Sequence, residues 1–103
     1  MDMMKLMSQL KESQQKIEDV KAKLANEYVV ESGSNQALEV KVSKNGRIKD
    51  LQIDDALIQD KEELIDFLIL TINKALEKAQ NEYDAELSKV ANAAMPKIHG
   101  LGL

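Results

Sequence analysis

The hydrophobic residues at the start of the chain recur at alternating three- and four-residue steps. This spacing over residues 2–27 is a heptad pattern, and neither Gly nor Pro interrupts it. The stripe consists of Met3, Leu6, Leu10, Ser13, Ile17, Val20, Leu24 and Glu27. Ser13 and Glu27 are polar breaks in it. We predict an amphipathic helix over 2–27, narrow enough in its apolar stripe to pack against one or two other helices.

The hydrophobic period changes to two after this helix. Tyr28–Val30 is aromatic and β-branched, which favours a strand, and Ser32–Asn35 has the composition of a turn. From Ala37 to Ser43, apolar and polar residues alternate. These two segments are therefore predicted to be neighbouring strands.

Asn45-Gly46 is the dipeptide most typical of a type I′ hairpin turn, in which both residues have positive φ. The return strand runs from Arg47 to Asp54, and its apolar residues are out of alternation by one, which predicts a bulge near Lys49-Asp50. We therefore predict a three-stranded antiparallel meander over 28–54.

A second helical pattern starts after a short acidic connection. Asp60 to Glu63 has the form of a capping box, with Asp60 as the N-cap. The pattern continues to about Ala94, and residues 64–72 are apolar on nearly every side, which indicates a buried segment. Pro96 cannot continue a helix, so residues 1–95 are predicted to form one domain and 96–103 a mobile tail.

The length of this helix bears on assembly. About 34 residues at ~1.5 Å each make a helix of ~50 Å, which must project from a domain of ~100 residues with a radius of gyration near 13 Å. We infer a homodimer whose shared core includes the sheet and the segment 64–72. Its core and interface residues are predicted to be Leu64, Leu68, Ile72 and Leu76. The competing interpretation is a monomer in which the first helix folds back along the distal half of the long helix.

Composition excludes several classes of function. The 103 residues contain three aromatic side chains, no Cys and a single His, so base-stacking RNA readers, zinc sites, thiolate catalysis and Ser-His-Asp chemistry are not expected. Asp54-Asp55 is interpreted as a helix-entry capping pair rather than a metal site, and His99 as a solvated histidine. No enzyme activity, cofactor, metal or small-molecule substrate is expected. No apolar run approaches the ~20 residues of a membrane span, so we expect a soluble, cytoplasmic protein.

The formal net charge is −4, but the charge is unevenly distributed. Residues 37–49 hold four bases against Glu39 alone, whereas residues 50–66 hold seven acids against Lys61 alone. On the first helix, Lys5, Lys16 and Lys23 fall within a sector of ~20° and could contact phosphates. These lysines could equally serve the i,i+4 ion pairs Glu12–Lys16 and Asp19–Lys23. Both interpretations remain open at this point.

The whole chain resembles the YbaB/EbfC family of bacterial nucleoid-associated proteins. The order and spacing of several segments carry the resemblance: Val29–Gly33, Leu38–Val42, Asn45-Gly46, Leu51–Asp54, Asp60–Leu64 and Ile72–Ala75. The resemblance implies an α+β dimer with a central antiparallel sheet and two protruding helical arms that bind duplex DNA with limited sequence preference. This family usually has a Gly before the valines of the second strand, where this chain has Gln36-Ala37.

The resemblance also directs attention to the arms as the DNA-binding region. In this chain they would carry Lys5, Lys16 and Lys23 on the first helix, Lys89 on the second, and Lys97 in the tail. We therefore expect a nucleoid-associated protein that binds the phosphate backbone and affects nucleoid organisation and gene expression. The alternative is a protein-interaction module that uses the helical stripes and the acidic segment 50–66, with an unknown protein partner and DNA binding weak or absent.

Overall fold

A small three-stranded sheet and a long helical arm make up the fold. The computed structural model describes residues 2–94. Its elements, in chain order, are α1 (Met3–Leu24), β1 (Tyr28–Gly33), β2 (Leu38–Ser43), β3 (Ile48–Ile53), α2 (Asp55–Ile58) and α3 (Lys61–Ala94). The molecule measures 68 × 26 × 16 Å, so it is strongly elongated. The predicted α+β order of N-terminal helix, antiparallel meander and long C-terminal helix is confirmed, while the predicted tail 96–103 lies outside the described residues.

Helix α1 begins and ends one to three residues inside its predicted bounds. The Asp2 carboxylate caps its first turn by accepting a hydrogen bond from the Met4 N–H (3.1 Å). At the other end, the N–H of Asn26 donates to Lys23 C=O and that of Glu27 to Leu24 C=O, which closes a tight turn. The prediction that the helix reaches Glu27 was wrong because this turn redirects the chain into β1.

The sheet has the order β1-β2-β3, with both pairs antiparallel. Leu38, Val40 and Val42 on the central strand point to one face and are fully buried there, beneath α3. In the second pairing, Val42 lies opposite Ile48 while the preceding residue of β2 lies opposite Asp50. Lys49 is therefore the extra residue of a β-bulge, and the predicted bulge is confirmed.

The two hairpin turns differ from the sequence prediction. The turn between β1 and β2 has positive φ at Asn35 (53°) and Gln36 (70°) and is closed by the Ala37 N–H donating to Ser34 C=O (3.0 Å), as in a type I′ turn. Gln36 thus has a positive φ that a Gly at this position would adopt without steric cost.

The Asn45-Gly46 turn is not of type I′, because only Gly46 has positive φ (88°). The Ser43 N–H donates to Arg47 C=O (2.8 Å), which leaves three residues in the loop instead of two. A three-residue loop closes with an ordinary type I turn followed by one left-handed residue, and Gly46 supplies that residue.

The acidic connection contains a helix that the hydrophobic pattern did not predict. The short α2 buries Leu57 against the core. The Asp60 carboxylate then accepts the Glu63 N–H (3.1 Å), so its predicted role as the N-cap of α3 is confirmed. The reciprocal half of the capping box does not form, because the Asp60 N–H already donates to Leu57 C=O (3.2 Å).

Helix α3 approaches the sheet closely through small residues. Ala75 and Ala79 are fully buried, and Thr71 packs against Gly33 of β1, where a Cβ would collide with the Thr71 hydroxyl. The predicted core and interface residues Leu64, Leu68, Ile72 and Leu76 are half-buried against this same core. The expectation that 64–72 is buried on every side is not met within one chain, since Ile65, Ile69 and Leu70 are exposed.

The distal half of α3 extends beyond the sheet and packs against α1. The two helices run in opposite directions, because α1 leads into the sheet whereas α3 extends away from it. Lys16 and Val20 of α1 line the same groove as Val90 and Ala93 of α3. The folding-back of the first helix, which the monomer interpretation contained, is therefore present. The N-terminal part of α1 remains open, with Met3, Met4, Met7 and Leu10 all more than half exposed.

The turn at Gln36 gives a stability prediction. Replacing Gln36 by Gly removes the cost of a positive φ on a residue with a Cβ, so we expect stabilisation of about 1 kcal/mol. The same replacement at Gln59, which is exposed and has φ −67°, serves as the control and should destabilise by up to about 1 kcal/mol. Urea unfolding midpoints measure both effects, and equal destabilisation of the two variants would contradict the explanation.

Candidate nucleic-acid interface

Three predicted lysines form a row along the exposed side of α1. Lys5, Lys16 and Lys23 are all solvent-exposed, as their common sector on the helix requires. Successive members are separated by about 16 and 10 Å along the helix axis. The row is therefore shorter than one duplex turn of about 34 Å. Its members are spaced more widely than successive phosphates, so they could contact phosphates several nucleotides apart.

The predicted i,i+4 ion pairs on α1 do not form. Asp19 instead accepts a hydrogen bond from the Gln15 amide (2.9 Å), and Lys23 pairs with Glu27 (3.5 Å). Within residues 2–94, Lys5 and Lys16 have no carboxylate within ion-pair distance. These two ammonium groups are therefore available to an external anion, which favours the phosphate-binding interpretation over the ion-pair one.

The structure brings Lys89 of α3 next to this row. Lys16 and Lys89 line one open groove of about 530 Å³ between α1 and α3, together with Asp19 and Glu86. The floor of this groove is apolar and consists of Val20, Val90 and Ala93. The arm thus presents lysines from both helices to the same side. Lys97, the remaining predicted residue, lies outside the described residues.

The basic hairpin is less available to an anion than its charge suggests. The Lys41 ammonium lies 4.5 Å from the centroid of the Tyr28 ring, a cation–π contact. Lys44 is paired with Glu27 and only 19% of its side chain is exposed. Arg47 and Lys49 remain exposed at the turn. Half of the bases of this hairpin are therefore engaged within the molecule.

The Lys44–Glu27 pair joins the hairpin to the end of the arm. The Lys44 ammonium donates to Glu27 Oε1 at 2.9 Å, and the Lys44 backbone N–H donates to Glu27 C=O, also at 2.9 Å. This side-chain hydrogen bond lowers the pKa of Glu27 below its ordinary 4.5 and raises the pKa of Lys44 above its ordinary 10.5. Glu82 and Glu86 of α3 add to the rise for Lys44. The pair is separated by 17 residues, so no local pattern could have identified it.

The described part of the chain offers no candidate metal site. Residues 2–94 contain no group of three or more His, Cys, Asp or Glu side chains that could hold a metal ion. Asp54 lies at the N-cap position of α2, but its side chain makes no capping hydrogen bond, so the capping interpretation of this residue holds only for its position. None of the described helices is apolar over a length that would cross a bilayer.

The Lys44–Glu27 pair predicts a pH dependence of stability. The pKa of Glu27 is lower in the folded than in the unfolded state. The pair therefore adds to the free energy of unfolding above about pH 4.5, and this stabilisation is lost as the pH falls through the folded-state pKa. The pKa of Lys44 is higher in the folded than in the unfolded state. The stabilisation by the pair is therefore also lost at high pH, as the pH rises from about 10.5 through the folded-state pKa.

We therefore expect Lys44→Met to lower the free energy of unfolding at pH 7, and this difference from the unsubstituted protein should shrink when both are measured near pH 3. Lys49→Met, which removes an exposed base from the same hairpin, is the control. A difference for Lys44→Met that stays constant from pH 7 to pH 3 would contradict the assignment.

Comparison with known proteins agrees with this architecture. The model of the YbaB/EbfC DNA-binding family matches residues 1–95. A nucleoid-associated protein of Flavobacterium johnsoniae is 44% identical over 101 residues, covering 98% of this chain and 95% of that protein. One of Campylobacter jejuni is 38% identical over 107 residues and covers both chains completely. The crystal structure of an uncharacterised Helicobacter pylori protein has the same fold, with a TM-score of 0.78 at 21% identity, over 86% of this chain and 96% of that one. The chain therefore belongs to the YbaB/EbfC DNA-binding family, a family of nucleoid-associated proteins and not of enzymes.

Proposed function

We propose that this protein is a homodimeric nucleoid-associated protein that binds duplex DNA mainly through the phosphate backbone. The observation that carries the proposal is the exposed lysine row of α1, in which Lys5 and Lys16 have no acidic partner among the described residues. Lys89 extends the row onto α3. Family membership and the names of the two relatives support DNA as the ligand and the nucleoid as the location.

The side chains available on the arm favour binding with little sequence preference. Lysine contacts phosphate as a point charge, whereas bidentate reading of guanine is mostly the work of arginine. The chain's Arg47 lies in the hairpin and not on the arm. We therefore expect similar affinities for unrelated duplexes.

Salt dependence provides the test of this proposal. We expect two unrelated duplexes to bind with similar affinity, with log affinity falling linearly in log salt concentration, as measured by fluorescence anisotropy. The triple variant Lys5→Gln, Lys16→Gln, Lys23→Gln should bind both duplexes more weakly. Its salt slope should be shallower by about 0.9 for each phosphate that the variant no longer neutralises. The matched control replaces three exposed lysines of α3, Lys61, Lys74 and Lys78, by Gln, which changes the net charge equally.

Equal weakening in the triple variant and its control would mean that net charge, and not the α1 row, governs binding. Absence of binding to either duplex at low salt would contradict the proposed function itself. That outcome would favour the protein-interaction alternative, for which the open apolar face of α1 at Met3, Met4, Met7 and Leu10 would be the contact surface.

The proposal of a homodimer is supported by apolar side chains that one chain leaves uncovered. Ile48 and Leu51 of β3 point to the same face of the sheet as the buried residues of β2, yet both are more than 40% exposed. Helix α3 packs mainly on β1 and β2. It also leaves Ile65 and Ile69 exposed on its own surface. A second copy that covered these residues would complete the core over β3.

The two faces of the sheet provide a matched test of dimerisation. Leu51→Asp places a charge on the uncovered inner face and should weaken the dimer by about 2 kcal/mol or more, because a buried unpaired carboxylate is costly. Val30→Asp is the control: Val30 lies opposite Lys41 on the outer face and is similarly exposed. Sedimentation equilibrium of both variants and the parent measures the effect. A monomeric parent protein, or equal dissociation of both variants, would refute this interface.

A further inference from the structure

Helix α1 is attached to the sheet by few interactions. Leu24 is its one buried residue within the described chain, and its other apolar positions are half-buried or exposed. The connection to β1 consists of Ala25, Asn26 and Glu27. The direction in which α1 leaves the sheet therefore depends on its packing along α3 and on what holds this connection in place.

The β2–β3 turn holds this connection from the opposite side. Ser43, at the base of the turn, is fully buried; its hydroxyl bonds to Asn45 Oδ1 and accepts the Arg47 N–H (3.2 Å). The backbone bonds from Ser43 to Arg47 and from Gly46 to Ser43 close the same loop. Lys44 is the first residue of the loop, so its backbone position is fixed by these bonds.

Lys44 donates to Glu27 through its backbone N–H and through its side-chain ammonium. Its backbone N–H and its ammonium each lie 2.9 Å from an oxygen of Glu27. The second carboxylate oxygen of Glu27 faces Lys23 at 3.5 Å. The Glu27 carboxylate thus lies between the hairpin and the last turn of α1. These two cations bind it from different elements, which limits rotation of α1 about the connection.

The Lys44 ammonium interacts with more carboxylates than that of Glu27 alone. Glu82 and Glu86 of α3 interact electrostatically with it, in addition to Glu27. Glu82 Oε2 is buried and has no hydrogen-bond partner among residues 2–94. Removal of the ammonium would therefore leave the carboxylates of Glu27, Glu82 and Glu86 without the cation that they share.

We propose that Lys44 is a positioning residue, which fixes the direction of α1 and thereby places Lys5 and Lys16 for DNA, instead of contacting phosphate itself. The part that concerns DNA rests on the proposed function. Gln9 lies ~22 Å along the helix from Leu24, so each 10° of tilt would displace it by about 4 Å. Phosphates of one strand follow at ~3.4 Å along the duplex axis, so such a tilt changes which of them the lysines reach.

Distance measurements within one protomer test the positioning role without DNA. The chain has no Cys, so Gln9→Cys on α1 and Gln52→Cys on β3, both exposed, allow site-specific spin labelling. Labelled protein is diluted with unlabelled protein so that distances between protomers do not contribute. We expect a narrow distance distribution for the labelled parent and a broadened or shifted one for Lys44→Met. The charge-preserving Lys44→Arg and the hairpin control Lys49→Met should retain the narrow distribution.

Glu27→Gln removes the carboxylate charge with little change in shape and provides a second route if Lys44→Met does not fold. It should broaden the same distribution, and circular dichroism confirms that each variant is folded. An unchanged distribution in both folded variants would overturn the positioning role. So would broadening in Lys49→Met equal to that in Lys44→Met.

The DNA readout follows separately on the same proteins. If α1 carries the contacts, Lys44→Met should bind duplex on the order of tenfold more weakly, and Lys44→Arg should restore the affinity. If the parent protein binds no DNA while the distance distributions change as expected, the proposed function fails and the positioning of α1 stands. If Lys44→Met loses affinity with an unchanged distribution, Lys44 contacts phosphate directly and the positioning role is refuted.

Discussion

The mismatch in length between α3 and the sheet governs where the other elements pack. A helix of 34 residues is about 50 Å long, whereas a six-residue strand spans only about 20 Å. The part of α3 up to Ala79 packs tightly on β1 and β2, where Gly33, Thr71, Ala75 and Ala79 allow a close approach. The second half has no sheet to cover it, so α1 packs there and the two helices form the arm.

The same mismatch in length gives the molecule two different surfaces, one at the sheet and one on the arm. The sheet and the first half of α3 leave apolar residues of β3 uncovered, which supports self-association there. The arm has little interior of its own and presents charged side chains instead. A chain with a net charge of −4 belongs to a DNA-binding family. Under the proposed function, its binding depends on the lysines that the arm exposes and not on the total charge. Many of the acids lie elsewhere: Asp54 and Asp60 are at the starts of helices.

Local sequence signals predicted those features whose causes are local. The period of the hydrophobic pattern indicated the order of the helices and strands, the lapse in alternation indicated the bulge at Lys49, and Asp60 was identified as a helix cap. The errors arose where neighbouring strands and helices use the same backbone groups in a different way. Asn45-Gly46 favours a two-residue turn, but the pairing of Ser43 with Arg47 imposes three. Asp60 could not complete its capping box, because the preceding helix already uses its N–H.

The lysines show most clearly which properties follow from local sequence and which follow from tertiary folding. The helical period was enough to place Lys5, Lys16 and Lys23 on one exposed side of α1, because a helix fixes the direction of its side chains. Sequence could not distinguish Lys44, which is paired and largely buried, from Lys49, which is exposed in the same hairpin. That distinction depends on Glu27, Glu82 and Glu86, which only the fold brings to Lys44. Charge is a property of the residue, but its availability depends on partners that are distant in sequence.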